Sequence, residues 1–149
     1  MLANGGRLFV HPLFDQQLRQ LVEQVEALAD REPEAYKEQP AAKLLATIHR
    51  LIFESIPRDP NAAEFRQGNT LGEDNRHWFR AKFHRRYRLF YRFSSQHKVI
   101  VYAWVNHERT LRKSGTKTDP YRVFHDLLEA GDPPSTIEQL LARAKELRN

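Results

Sequence analysis

Apolar residues recur at three- and four-residue intervals through Phe14, Leu18, Leu21, Val22, Val25 and Leu28, the period that lines one face of an α-helix. Just before it, Leu8 to Val10 has strand composition and predicts a short edge strand, and His11 ahead of Pro12 shapes the entry to the helix. A second helix is predicted from Pro40, whose ring suits a first helical turn. Leu44, Leu45, Ile48, Leu51, Ile52 and Ile56 give it an apolar stripe, and Pro57 is expected to end it. Arg58 to His77 is rich in Pro, Asn, Gly and Asp with little periodicity, which predicts a long surface loop anchored by Phe65 and Leu71. Loops of that length often serve a site.

The period then falls to two. Trp78 to Phe83, Arg86 to Phe93 and Lys98 to Val105 are rich in aromatic and β-branched residues, and the short connections His84-Arg85 and Ser94 to His97 predict two hairpins and an antiparallel meander. Two C-terminal helices follow. Asp119 can cap the first with Pro120 in its opening turn, and Ser135-Thr136-Ile137-Glu138 has capping-box spacing for the second. Gly131, Pro133 and Pro134 separate them. The expected fold is α+β: a small antiparallel sheet packed against N-terminal helices, with two C-terminal helices. At 149 residues the chain suits a single domain, 1–149, because two cores would each be short of buried apolar surface. With no cysteine it must be held by packing alone, which suits a reducing cytosol. Its apolar runs, such as Val99 to Val105, are far below the roughly 20 residues of a membrane span, and the N-terminus lacks a signal-peptide core. A soluble cytoplasmic protein is expected.

Charge changes this picture. The net charge is +5, and from Asn75 to His107 there is no Asp or Glu, while Arg76, Arg80, Lys82, Arg85, Arg86, Arg88, Arg92 and Lys98 supply 8 of the 24 Lys and Arg. One segment is strongly cationic on an otherwise slightly acidic protein. A charge run alone is most simply a solvated face, but here the run coincides with strands, and strand side chains alternate between faces. Trp78, Arg80, Lys82 and His84 then share one face of the first strand. Arg86, Arg88 and Arg92 share one face of the second, with Phe90 between them. Pairing the two brings Arg80 and Lys82 near Arg88 and Arg86. Like charges so placed repel unless an anion compensates them, and phosphate fits guanidinium in planar, often bidentate geometry. Trp78, Phe90, Tyr102 and Trp104 add surfaces on which unpaired bases could stack, although each aromatic taken singly is more simply a core residue.

Arg86-Tyr87-Arg88-Leu89-Phe90-Tyr91-Arg92, preceded by Arg80-Ala81-Lys82 and followed by Ala103-Trp104-Val105-Asn106, resembles the catalytic sheet of RelE-like toxins, and more specifically the YhaV toxin family. The resemblance extends through His11-Pro12, Ala41 to Ala46, Phe65-Arg66, Leu71-Gly72, Thr110-Leu111-Arg112, Gly115 and Lys117-Thr118-Asp119 with Tyr121 and Phe124, and covers most of the chain. It implies a RelE-like α+β fold, ribonuclease activity against messenger RNA that halts translation, and a cognate antitoxin, an AbrB-like protein of the PrlF type. It is compatible with cleavage of naked message and of message on the ribosome. The chain departs from the wider superfamily after the last strand: the position where a catalytic arginine is common falls closest to Glu108, and that of a following tyrosine near Leu111. Arg112 and Tyr121 are the residues available to substitute from elsewhere in the fold.

Metal-independent RNA cleavage needs the 2′-hydroxyl deprotonated, its oxygen aligned with phosphorus, and the developing charge stabilised. Superfamily positions make Arg80 and Arg88 the candidate phosphate clamp. Lys82 is the candidate for proton transfer, since neighbouring cations lower a lysine pKa. Trp78, His84, Arg86, Arg92, Trp104, Asn106, Thr110, Arg112, Lys113 and Lys117 are candidate RNA contacts. His84, with an unperturbed pKa near neutrality, is expected to touch RNA or solvent from its turn rather than act as a base. No pair of histidines has metal-ligand spacing, and no Gly-rich phosphate loop or serine elbow is present, so neither metal nor cofactor is expected. Two other classes share the basic face: a non-catalytic RNA-binding module and a regulatory interaction protein.

Overall fold

The computed structural model describes residues 6–106 and 119–148. Five strands, β1 (Arg7–Val10), β2 (Phe79–Phe83), β3 (Tyr87–Ser94), β4 (Val99–Val105) and β5 (Lys145–Glu146), form one sheet in the order β2-β3-β4-β1-β5. Neighbours run antiparallel except β1, which lies parallel to β4. The meander is therefore as expected, but β1 is not an edge. The chain's last residues return as β5 to pair Val10 with Lys145 and Phe9 with Glu146, a strand too short to leave a periodic signal.

Helices cover both faces. On one, α1 (Pro12–Arg31) and α2 (Pro40–Arg50) set Phe14 and Ile48 against Leu8, Val10, Ala81, Leu89, Tyr91, Ile100 and Tyr102. On the other, α4 (Pro120–Glu129) and α5 (Ile137–Arg143) bury Phe124, Leu128 and Leu140 against Phe9, Trp78, Phe90, Val101 and Trp104. Asp119 caps α4 as expected, accepting from the Tyr121 backbone N–H at 2.9 Å. The cap of α5 is Thr136 rather than Ser135, its hydroxyl accepting from Gln139 N–H, so the box is shifted by one residue.

The second helical run ends at Arg58, one residue past Pro57, close to where the proline is expected to end it. After α2 the chain widens into a π turn, Leu51–Ser55, and runs on through α3 (Ile56–Arg58). In the π turn Ile56 N–H donates to the Leu51 carbonyl five residues back. The next donor in that series would be Pro57, which has none, and the Ile52 carbonyl is satisfied instead by the Tyr102 hydroxyl at 2.7 Å. A sheet residue thus satisfies the carbonyl that the proline leaves without its backbone donor.

The long loop is anchored by Phe65 and Leu71, both buried, and contains two short 3-10 turns, Ala63–Phe65 and Glu73–Asn75. Its organiser is Gln67. The buried side chain donates to the Asn75 carbonyl at 2.8 Å and accepts from Leu71 N–H and the Thr70 hydroxyl. The loop runs beside the outer strand β2, touching it through a bridge between Arg66 and Phe79.

His11 ties the two helical layers together. Its Nδ1 caps α1 by accepting from Leu13 N–H at 3.1 Å, which requires the neutral ring. Nε2 lies 3.1 Å from the Asp132 carboxylate, in contact but not aligned as a hydrogen bond. Burial lowers the His11 pKa below 6.5; Asp132 opposes this and Arg143 reinforces it. A folded pKa below the unfolded one means that stability is complete above the unfolded value and is lost as pH falls through the folded one. His77, also lowered by burial, acts in the same direction. Thermal melts are expected to show a steeper loss of Tm between about pH 7 and 5 for the native chain than for His11→Asn, which keeps a cap acceptor without a titrating ring. Superimposable profiles would show that His11 does not titrate on unfolding.

Candidate active site

The pairing of β2 with β3 sets Lys82 opposite Arg88 and Arg80 opposite Phe90, and the pleat sends Arg80, Lys82 and Arg88 to the face that carries α4. The first turn of α4 places Tyr121 over them. Arg80 donates through Nε to the Tyr121 hydroxyl at 2.9 Å and through Nη1 to the Glu64 carbonyl of the long loop at 3.0 Å. Arg88 donates through Nε to the same hydroxyl at 3.2 Å and through Nη1 to the carbonyls of Arg85 and Tyr87. Arg80 is buried, Arg88 half-buried and Lys82 exposed.

Two guanidinium nitrogens within about 3 Å of one oxygen are at most about 6 Å apart, and unit charges at that separation repel by roughly 3 kcal/mol at the effective dielectric of a protein surface. Among the described residues no carboxylate forms an ion pair with Arg80, Lys82 or Arg88. The aromatic layer underneath holds the repelling pair together. Phe90 meets Tyr121 edge-on at 5.7 Å, stacks on Phe124 at 4.4 Å and lies against Trp104 at 5.9 Å. Each fully buried ring contributes roughly 2–3 kcal/mol, enough in sum to outweigh the repulsion. What remains is a concentrated positive potential suited to an anion with several oxygens.

Several expected RNA contacts fall elsewhere. Trp78 is completely buried, edge-on to Phe124 at 5.0 Å, and Trp104 is nearly so. Neither offers a face to a base, because α4 and α5 occupy the surface that the strand pattern leaves open. Tyr102 faces the opposite side of the sheet: Phe90 pairs with Trp104 but Tyr91 with Tyr102, so Ala103 is an extra residue that reverses the alternation. His84 leaves the basic face too. The hairpin loop has three residues, His84, Arg85 and Arg86, the first two with positive φ, and His84 Nε2 lies 2.8 Å from the Thr47 hydroxyl on α2. Arg86 is exposed in this loop rather than aligned in β3. Arg92 points to the far end of α4, over the Trp78 ring at 5.7 Å and donating to the Ser135 carbonyl. There it lines a separate hollow of about 550 Å³ with Asp74, His77, Glu129 and Glu138. Asn106 is 1% exposed and bonded to the backbone of β3, so it does not reach RNA directly. Thr110, Arg112, Lys113 and Lys117 lie outside the described residues.

The arrangement therefore unites Arg80, Lys82 and Arg88 and adds Tyr121. Sequence supplied Tyr121 only as a residue able to substitute from elsewhere; its placement depends on how α4 packs on the sheet. Among the described residues no group of three or more His, Asp or Glu could hold a metal ion, and no helix is long and apolar enough to cross a membrane.

A layered α+β fold with paired cationic strands under a tyrosine is consistent with a RelE-like domain. Residues 8–145 match the YhaV toxin family, described as a toxin with endonuclease activity of a toxin-antitoxin system. The chain is 45% identical over 146 residues to Toxin YhaV of Escherichia coli O6:H1 and 44% identical to Ribonuclease toxin YhaV of Escherichia coli strain K12, covering 97% of this chain and 95% of each relative. No solved structure matches. The chain belongs to the YhaV family of toxin-antitoxin endonucleases.

Proposed function

We propose that this protein cuts messenger RNA in the cytoplasm at the face formed by Arg80, Lys82, Arg88 and Tyr121. The attacking group is the RNA's own 2′-hydroxyl, and no metal takes part. The observation that carries this reading is the pair of guanidinium groups converging on one hydroxyl, with no carboxylate among the described residues in an ion pair with either. Arg80 and Arg88 hold the non-bridging oxygens of the scissile phosphate. Lys82, as the free amine, takes the 2′-hydroxyl proton while the O2′–P bond forms. As the P–O5′ bond breaks, the departing 5′-oxygen takes the proton of Tyr121. That proton is not directed at either arginine, because guanidinium has no acceptor. Lys82 and Tyr121 thus end with exchanged protonation, and solvent restores them. Membership of a toxin-antitoxin system gives the protein an antitoxin partner, which we assign to the AbrB-like, PrlF type.

The test is to incubate the purified protein with an end-labelled message, once alone and once in a translating extract. New RNA ends are expected in at least one setting, with a 2′,3′-cyclic or 3′-phosphate on the upstream fragment and a 5′-hydroxyl downstream. Cleavage only in the extract would assign presentation of the message to the ribosome. Binding without new ends in both settings would instead favour a non-catalytic RNA-binding module. Fragments with 3′-hydroxyl and 5′-phosphate ends would overturn 2′-hydroxyl attack.

A further inference from the structure

The last cross-strand pair between β3 and β4 is Leu89 with Val105, so Arg88 stands one residue beyond the regular ladder on that side. Its backbone is nonetheless fixed. Asn106, the first residue after β4, accepts from Arg88 N–H through Oδ1 at 2.6 Å and donates through Nδ2 to the Arg86 carbonyl at 2.9 Å. Its own N–H lies 3.4 Å from the Arg88 carbonyl. A side-chain amide thus takes the place of another strand residue at the point where β3 leaves its hairpin. On the opposite edge of β4, Gln17 of α1 does the same for Val105, donating to its carbonyl at 2.7 Å and accepting from its N–H at 3.1 Å. Two amides therefore clamp the end of β4, and the inner one holds Arg88.

From this geometry we infer that Asn106 is a positioning residue for RNA cleavage, acting through the backbone of Arg88 and not through contact with RNA. The inference rests on the reading of Arg88 as part of the phosphate clamp. Asn106 is buried, and both ends of its amide are engaged by β3, leaving it no role in binding the substrate directly. What it controls is where Arg88 starts. The Arg88 side chain donates to carbonyls of its own hairpin, Arg85 and Tyr87, as well as to Tyr121. If residues 86–88 drift away from β4, the guanidinium moves with them and loses its alignment with Tyr121 and Arg80. Small misplacements of a charge-stabilising group are felt mainly in the chemical step.

The experiment is a double-mutant cycle in single-turnover cleavage, in whichever setting supports activity, with RNA affinity and thermal unfolding measured alongside. Asn106→Ala is expected to lower the cleavage rate constant about tenfold with RNA affinity changed less than twofold and unfolding still cooperative. In an Arg88→Ala background the same substitution should cause no further loss. An unchanged rate in Asn106→Ala, or an undiminished tenfold loss in the Arg88→Ala background, would overturn the inference and reduce Asn106 to a structural residue. If the alanine variant does not fold, Asn106→Asp, which keeps the acceptor for Arg88 N–H and lacks the donor to Arg86, goes through the same cycle under the same criterion. Arg88→Ala with full activity would instead reject the catalytic reading of Arg88 itself, so the two failures are distinguishable.

Discussion

Arg88→Ala is expected to lower single-turnover cleavage of RNA by about 10²–10³-fold, the loss typical of removing one charge-stabilising donor from a reacting centre. The fold should survive. Arg88 is half-buried at the start of β3, and its partners are a phenol hydroxyl, the Arg85 carbonyl of the exposed turn and the half-buried Tyr87 carbonyl next to it. The aromatic layer of Phe90, Trp104 and Phe124 beneath is untouched. Removing one of two repelling cations also relieves strain in the free protein, so Tm should change little or rise while activity collapses. An inactive variant that had lost cooperative unfolding would not count as support. A fully active, folded one would remove Arg88 from the site.

Tyr121→Phe is expected to reduce cleavage roughly 10²-fold, at the lower end of what a positioned proton donor contributes, with RNA binding retained within a few-fold. The phenylalanine ring keeps the edge-on contact with Phe90, so packing is preserved. The loss is confined to the oxygen that accepts from Arg80 and Arg88. Without it both arginines lose their common acceptor, and the departing 5′-oxygen loses the hydroxyl we assign to protonate it. Wild-type cleavage by this variant would reduce Tyr121 to a spacer and require another proton donor.

The parts of the site that depend on strand alternation could be read from the chain alone. Arg80 with Lys82, and Arg88 with its strand neighbours, alternate as expected, but a two-residue connection at His84-Arg85 would have set Lys82 opposite Tyr87; the three-residue loop, His84 to Arg86, is what sets Lys82 opposite Arg88. Features that depend on tertiary packing could not be read in this way. A strand face bearing Arg88, Phe90 and Arg92 looks solvated, yet α4 and α5 cover its middle, bury Trp78 and Trp104, and separate Arg92 from the other two arginines. The extra residue at Ala103 has no compositional mark, and it alone sends Tyr102 to the other face. The π turn ahead of Pro57, whose freed Ile52 carbonyl accepts from the Tyr102 hydroxyl, leaves no mark in the sequence. Asn106 reads as a polar residue in a basic stretch, and only its burial shows that it holds backbone.

The most direct test of the shared phosphate site is the single-turnover rate of the Arg80→Ala, Arg88→Ala double variant set against the two single variants. Both side chains donate to one hydroxyl and are assigned to one phosphate, so their losses should not multiply: the double variant should be clearly faster than the product of the two single losses, a coupling of about 0.5–3 kcal/mol. A rate equal to that product would place the two arginines in independent roles and contradict a single clamp.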